Sequence, residues 1–160
     1  MAVIVKINQY LDRVTSKIKE LETIHDCQLY AKQINFATKK VMNVPLKDGK
    51  ATCYIEQVGA VADPVSEKVR RLMKNYTINV YIIAKNNRSS SSTARAGSYV
   101  CNQALDEIEA LLFDEDFDLN IEEAKLVSSD LIDDTSEVYV EYSILYLQYT
   151  QRLTTHETKN

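Results

Sequence analysis

The chain has 160 residues, 45% hydrophobic and 26% charged, which suits one ordinary domain with a real core and argues against global disorder. Nineteen Lys and Arg against 23 Asp and Glu leave a formal net charge of −4, and a dedicated nucleic-acid binder needs the opposite balance to neutralise phosphates. Glycine occurs only at 49, 59 and 97, so neither a Walker loop nor a GxGxxG phosphate cradle can be assembled.

The first ten residues hold a short apolar run at 2–5, too short for a signal-peptide core or a membrane span. Ile4, Ile7, Leu11, Val14, Ile18 and Leu21 then recur at intervals of three and four. That spacing predicts a helix over 7–24 with one narrow apolar seam. Residues 28–42 fit neither the helical nor the strand period, and Val44, Pro45, Leu46, Lys47, Asp48 and Gly49 form a turn.

The run ATCYIEQVGA at 51–60 reads as a strand, and Asp63-Pro64 as a turn. Residues 69–85 are dense in β-branched and aromatic side chains, with Tyr76, Ile78, Val80 and Ile82 alternating on one face. The two runs make a long antiparallel hairpin. Lys68, Arg70, Arg71 and Lys74 sit in its second strand, and because no aromatics interleave them they read as a solvated or partner-facing group rather than a nucleic-acid patch.

Residues 86–97, NNRSSSSTARAG, form a serine-rich stretch expected to be a mobile loop, with Arg88 and Arg95 bracketing the serines. A second helix is expected over 94–113. Cys101, Ala104, Leu105, Ile108, Leu111 and Leu112 line its apolar face, and Asp106, Glu107 and Glu109 cover the other side. Asp114, Asp116 and Asp118 start like a calcium loop, but the sixth and twelfth positions hold Leu119 and Lys125, and the match fails. A strand over 123–129 and a turn at Asp133-Asp134 precede the last element, EVYVEYSILYLQYTQ at 137–151. Val138, Val140, Tyr142, Ile144 and Tyr146 share one face of that strand. Tyr139, Glu141, Leu145, Leu147 and Tyr149 share the other, which marks a central strand or one covered on both sides. The tail, 153–160, reads as polar and frayed.

Chemistry is thin along this chain. Cys27, Cys53 and Cys101 show no CxxC spacing and read as free thiols of a reducing compartment. A nucleophile pair of Cys27 with His25, or a pocket of His25, Cys53 and Glu56, has no support from spacing. No cofactor, metal or catalytic residue is assigned. Charge, by contrast, is strongly divided. Residues 1–100 carry 16 basic and 8 acidic side chains, and residues 101–160 carry 3 basic and 15 acidic ones. Opposite-signed faces of this kind suit ordered self-assembly or docking.

The order of elements is a long helix, a β-hairpin, a loop, a second helix and a closing hairpin with a Tyr-rich last strand. With the runs ATCYIEQVGA (51–60), YTINVYIIAK (76–85), QALDEIEALLF (103–113) and EVYVEYSILY (137–146), it resembles the tail-terminator, or tail-completion, proteins of tailed phages and phage-tail-like particles. The resemblance spans residues 7–150 and rests on element order and texture, since the family has no short diagnostic motif. The stretch between the first helix and Ala51 is longer than the family pattern. The resemblance implies a single α+β domain over 1–160, a mainly antiparallel sheet with both helices on one face. It implies a structural protein of the virion tail, assembled in the host cytoplasm. That protein forms a ring of six copies on the end of the tail tube, stops tube polymerisation and offers the head-joining surface. The partners implied are further copies of the chain, the tube protein, the sheath, and the head connector or neck proteins, with no membrane and no sequence-specific nucleic acid. Lys68, Arg70, Arg71, Lys74, Arg88 and Arg95 are the expected interface cations. The rivals are a neck adaptor or baseplate component, and a small cytosolic enzyme without recognisable motif.

Overall fold

A computed structural model describes residues 4–29, 34–35, 40–41, 44, 47, 49–63, 70–86, 97–114, 118–133 and 141–158. In chain order these form α1 (Ile7–Lys19), β1 (Ile24–Leu29), β2 (Ile34–Asn35), β3 (Lys40–Val41), β4 (Ala51–Asp63), β5 (Arg70–Asn86), α2 (Gly97–Phe113), β6 (Asp118–Asp133) and β7 (Glu141–Thr158). The strands make one mixed sheet in the order β1-β4-β5-β7-β6-β3-β2. The long strands β4, β5, β7 and β6 pair antiparallel with one another, while β1 joins β4 and β3 joins β6 in parallel. An α+β fold with a mainly antiparallel sheet is thus what the chain forms.

Strand alternation explains the main core. Tyr76, Ile78, Val80 and Ile82 of β5 face the helices together with Leu145, Leu147 and Tyr149 of β7, and all are buried. Tyr10, Leu11, Val14 and Ile18 from α1 and Val100, Cys101, Ala104, Ile108 and Leu112 from α2 close this layer, so both helices cover one face. Apolar stripes at helical spacing need such a sheet face to bury against. The Tyr10 and Tyr149 hydroxyls lie 3.0 Å apart, and Tyr10 Oη donates to Gln151 Oε1 at 3.1 Å, which fixes α1 over β7.

The opposite face has a smaller core of Tyr54, Ile83, Tyr142 and Ile144, against which Val44 and Tyr81 pack. Leu29 and Ile34 belong to the first and last strands of the sheet, yet five residue steps reach only about 18 Å at full extension, so the sheet curls and brings β1 and the β2–β3 pair toward each other. The strand expected to be central is central: β7 is fourth of seven, apolar on both faces.

Several expectations change. The first helix stops at Lys19, short of residue 24, because Thr23 and Ile24 are drawn into the sheet: Ala51 N–H donates to Thr23 O at 2.8 Å, and Ile24 pairs with Ala51. Helix α2 is described from Gly97; residues 87–96, which hold the expected start at 94 and most of the expected mobile loop, lie outside the described residues. The strand expected at 123–129 extends over Asp118–Asp133. The tail is not frayed up to Thr158. Leu153, Thr154 and Thr155 are buried, β7 pairs with β5 as far as Thr158, and Val5 N–H donates to Thr154 O at 3.1 Å. Lys6 Nζ adds a bond of 2.9 Å to Thr155 O. Polar side chains there conceal a backbone held on both sides.

Candidate assembly surfaces

Of the six cations singled out from sequence, Lys68, Arg88 and Arg95 lie outside the described residues. The other three stand on β5. Arg70 is its first residue, paired in register with Thr158. Arg71 lies opposite Glu157, with Nε 3.8 Å from Oε2, so its charge is answered within the chain. Lys74 stands between Ala62 of β4 and Leu153 of β7. Successive side chains point to opposite faces of a strand, which places Lys74 and Arg71 on different faces. Arg71 and Lys74 therefore do not form one patch, although both stand near the same end of the sheet.

A polar and aromatic row crosses the sheet face away from the helices. Asn79 of β5 is its centre: Oδ1 accepts from Tyr146 Oη at 2.8 Å and from Gln148 Nε2 at 2.9 Å, both on β7. Tyr81 and Tyr146 are register partners whose rings lie 5.6 Å apart and tilted by 49°, a favourable cross-strand aromatic geometry. Thr150 donates to Glu122, extending the row onto β6, where Lys125 pairs with Glu123 at 3.0 Å. Burial raises the Tyr146 phenol above its ordinary value, with Tyr81 and the Glu123 and Glu122 carboxylates adding to the rise, so it stays a neutral donor. The row is hydrogen-bonded and uncharged at its centre and carries Glu122 and Glu123 at its β6 end. Sequence reading missed Asn79 and Gln148. For Gln148 a signal was present in the alternation of Tyr146, Gln148 and Thr150 on one face of β7; for Asn79 there was none.

The thiols are core residues. Cys27 and Cys53 are register partners on β1 and β4, and Cys101 Sγ donates to Ile82 O at 3.3 Å. All three are free and buried. Burial pushes the Cys27 and Cys101 thiols up to about 12 and the Cys53 thiol well above its ordinary value. His25 is exposed on β1 while Cys27 is buried, and Cys53 and Glu56 lie on opposite faces of β4 by alternation. The structure brings together neither of these sets. Among the described residues no group of three or more His, Cys, Asp or Glu could hold a metal ion. Asp116 of the acidic triplet lies outside the described residues. No described helix is long and apolar enough to cross a membrane. Glu107, expected on the solvent side of α2, is half-buried, and its Oε1 accepts the Thr23 N–H at 3.1 Å. It ties α2 to the turn after α1.

Compared with known proteins, the chain matches no family model and no curated protein. The arguments that remain are those of shape, charge and surface. The exposed large apolar side chains among the described residues are Val58 and Val61 on β4, Leu126 on β6, Tyr99 and Phe113 on α2, and Ile4.

Proposed function

We propose that this chain is a tail-terminator protein: a structural component that forms a closed ring on the last layer of a tail tube, stops tube growth and presents the surface to which the head joins. The observation that supports this reading is the order of a helix, the β4–β5 hairpin, a second helix and the β6–β7 hairpin, with the short strands β1–β3 inserted after the first helix and both helices on one face of a mainly antiparallel sheet. That order is the one on which the resemblance rests. The division of charge supports it too, because head-to-tail contacts need two unlike flanks on each copy. One flank here is β6, with Glu122 and Glu123; the other is the β4–β5 end, with Arg70 and Lys74.

A ring cap works by geometry and not by bond chemistry. One face must match the tube's own repeat, and the other must refuse a further tube layer while accepting the head connector. A rigid sheet with helices fixed to it meets that demand, since the face it offers keeps its shape on binding. Deleting the gene and imaging the tails tests the role. Tails of variable, extended length without heads are the expected result. Tails of normal length that carry heads would reject it.

A further inference from the structure

Pairing between β6 and β7 reaches no further than Asp118 and Arg152. Beyond Arg152, among the described residues, the β6 side of β7 is taken by residues 4–6, which lead into α1. Thr154 already pairs with Met73 of β5, and on its other side it forms a parallel bridge with Ile4. Val5 N–H donates to Thr154 O at 3.1 Å, and Lys6 is the N-cap of α1. One bridge and one backbone bond are a slight hold for such a strap, since segments with few bonds open locally at little cost. Side chains supply the rest.

Lys6 Nζ donates to Thr155 O at 2.9 Å and lies 3.0 Å from His156 Nε2. An ammonium has hydrogens and no lone pair, so Nε2 is the unprotonated nitrogen that accepts. The imidazole proton then sits on Nδ1, which donates to Thr155 Oγ1 at 3.2 Å. Thr155 Oγ1 in turn donates to Leu72 O on β5 at 3.2 Å. The relay from Lys6 through His156 and Thr155 to Leu72 has one consistent direction, and it exists only while His156 is neutral. A second ring proton would set an N–H and a positive charge against the ammonium at 3.0 Å.

The other charged groups around the ring do not offset this. Lys74 lies two residues from Leu72 on the same face of β5 and has the same sign as Lys6. Arg71 and Glu157 answer each other, and, one residue along from Leu72 and His156, they stand on the opposite face. Arg152 is turned to that opposite face too, with Nη2 3.6 Å from Met73 Sδ. Arg70 pairs with Thr158, two rows beyond His156. His156 is exposed while Thr155 is buried, so solvent protons reach the ring and the hydroxyl that orients it is held in place.

We infer that this relay is a pH-sensitive latch: with His156 neutral it holds residues 4–6 on the edge of β7, and when His156 takes up a proton the strap opens while helices and sheet stay folded. Imidazole is the side chain whose charge ordinarily changes between about pH 5 and 8, so the latch is closed at the upper end of that window and open at the lower. The latch is independent of the tail role.

Nuclear magnetic resonance on the full-length protein tests both halves of the inference. At pH 8 the nitrogen-15 shifts of the His156 ring are expected to show its single proton on Nδ1; a proton on Nε2 would overturn the relay. Water exchange of the Val5 amide, corrected for its intrinsic rate, then follows the strap. Between pH 8 and pH 5 its protection is expected to fall about fivefold, the factor that a like charge at this distance carries in an exposed setting, while amides of α2 and central β7 keep theirs. His156→Gln retains an acceptor for Lys6 and takes up no proton, so Val5 should stay protected over the whole range. Lys6→Met removes the opposing charge and should flatten the pH dependence at a lower level of protection. Constant Val5 protection in the wild type, or an equal fall in His156→Gln, would overturn the latch. The tautomer and the pH dependence are both read on the wild-type chain, so the test holds even where a variant folds poorly.

Discussion

The three cysteines are the residues whose chemistry is most sharply set by their surroundings. A thiol reacts as its thiolate, and burial has moved Cys27 and Cys101 to about 12, so almost none is ionised near neutrality. An aromatic disulfide reagent is expected to label no thiol in the native protein and all three after denaturation; rapid native labelling would contradict the burial. The same shifts fix a pH dependence. A folded-state pKa raised above the unfolded value near 9 stabilises the protein below that pH. That contribution is lost as pH climbs from about 9 toward 12. Thermal melts should therefore fall on the alkaline side of pH 9, and less steeply in Cys27→Ala measured against its own neutral value. Asn79 makes a second prediction. Asn79→Ala leaves Tyr146 and Gln148 without their shared acceptor and should cost about 1–3 kcal/mol in denaturant unfolding. This residue was not legible in advance, because its partners lie 67 and 69 positions away and nothing local distinguishes an asparagine within TINVYII.

At the scale of elements, periodicity reads well wherever burial follows from it. Tyr76, Ile78, Val80 and Ile82 alternate in sequence and are buried together, and Leu11, Val14 and Ile18 sit on the buried side of α1. Ile18→Ala should cost about 2–5 kcal/mol, as a fully buried branched side chain leaves a cavity between helix and sheet. The C-terminal end of β7 illustrates the opposite case. Leu153, Thr154 and Thr155 look like part of a polar tail, and their burial comes with partners on β5 across the sheet and with Val5 and Lys6 at the other end of the chain. No local pattern could announce partners so distant. Truncation after Arg152 should lower the melting temperature strongly, since it removes buried Leu153 and the ladder to Arg70–Met73, while truncation after Thr158 should leave it unchanged. Equal melting of the two would restore the frayed reading.

For the whole molecule, the uneven charge is the feature on which the proposed ring rests, since head-to-tail contacts between copies need unlike flanks. Of the cations read from sequence, Arg71 and Lys74 are divided by strand alternation, which composition could not reveal, and Arg71 is already paired with Glu157. Arg70→Glu and Lys74→Glu should each weaken self-association at low salt, with the difference from wild type shrinking as ionic strength rises past about 0.1 M. Arg71→Glu should lower stability as well, by setting two acids together. The capping role itself is tested most directly on growing tubes. Purified chain is added to the polymerising tube protein, and tube lengths and ends are scored by electron microscopy. Tubes that stop growing and carry a ring of this chain at one end are the expected outcome. Tubes that lengthen as they do without it, with bare ends, would contradict the account.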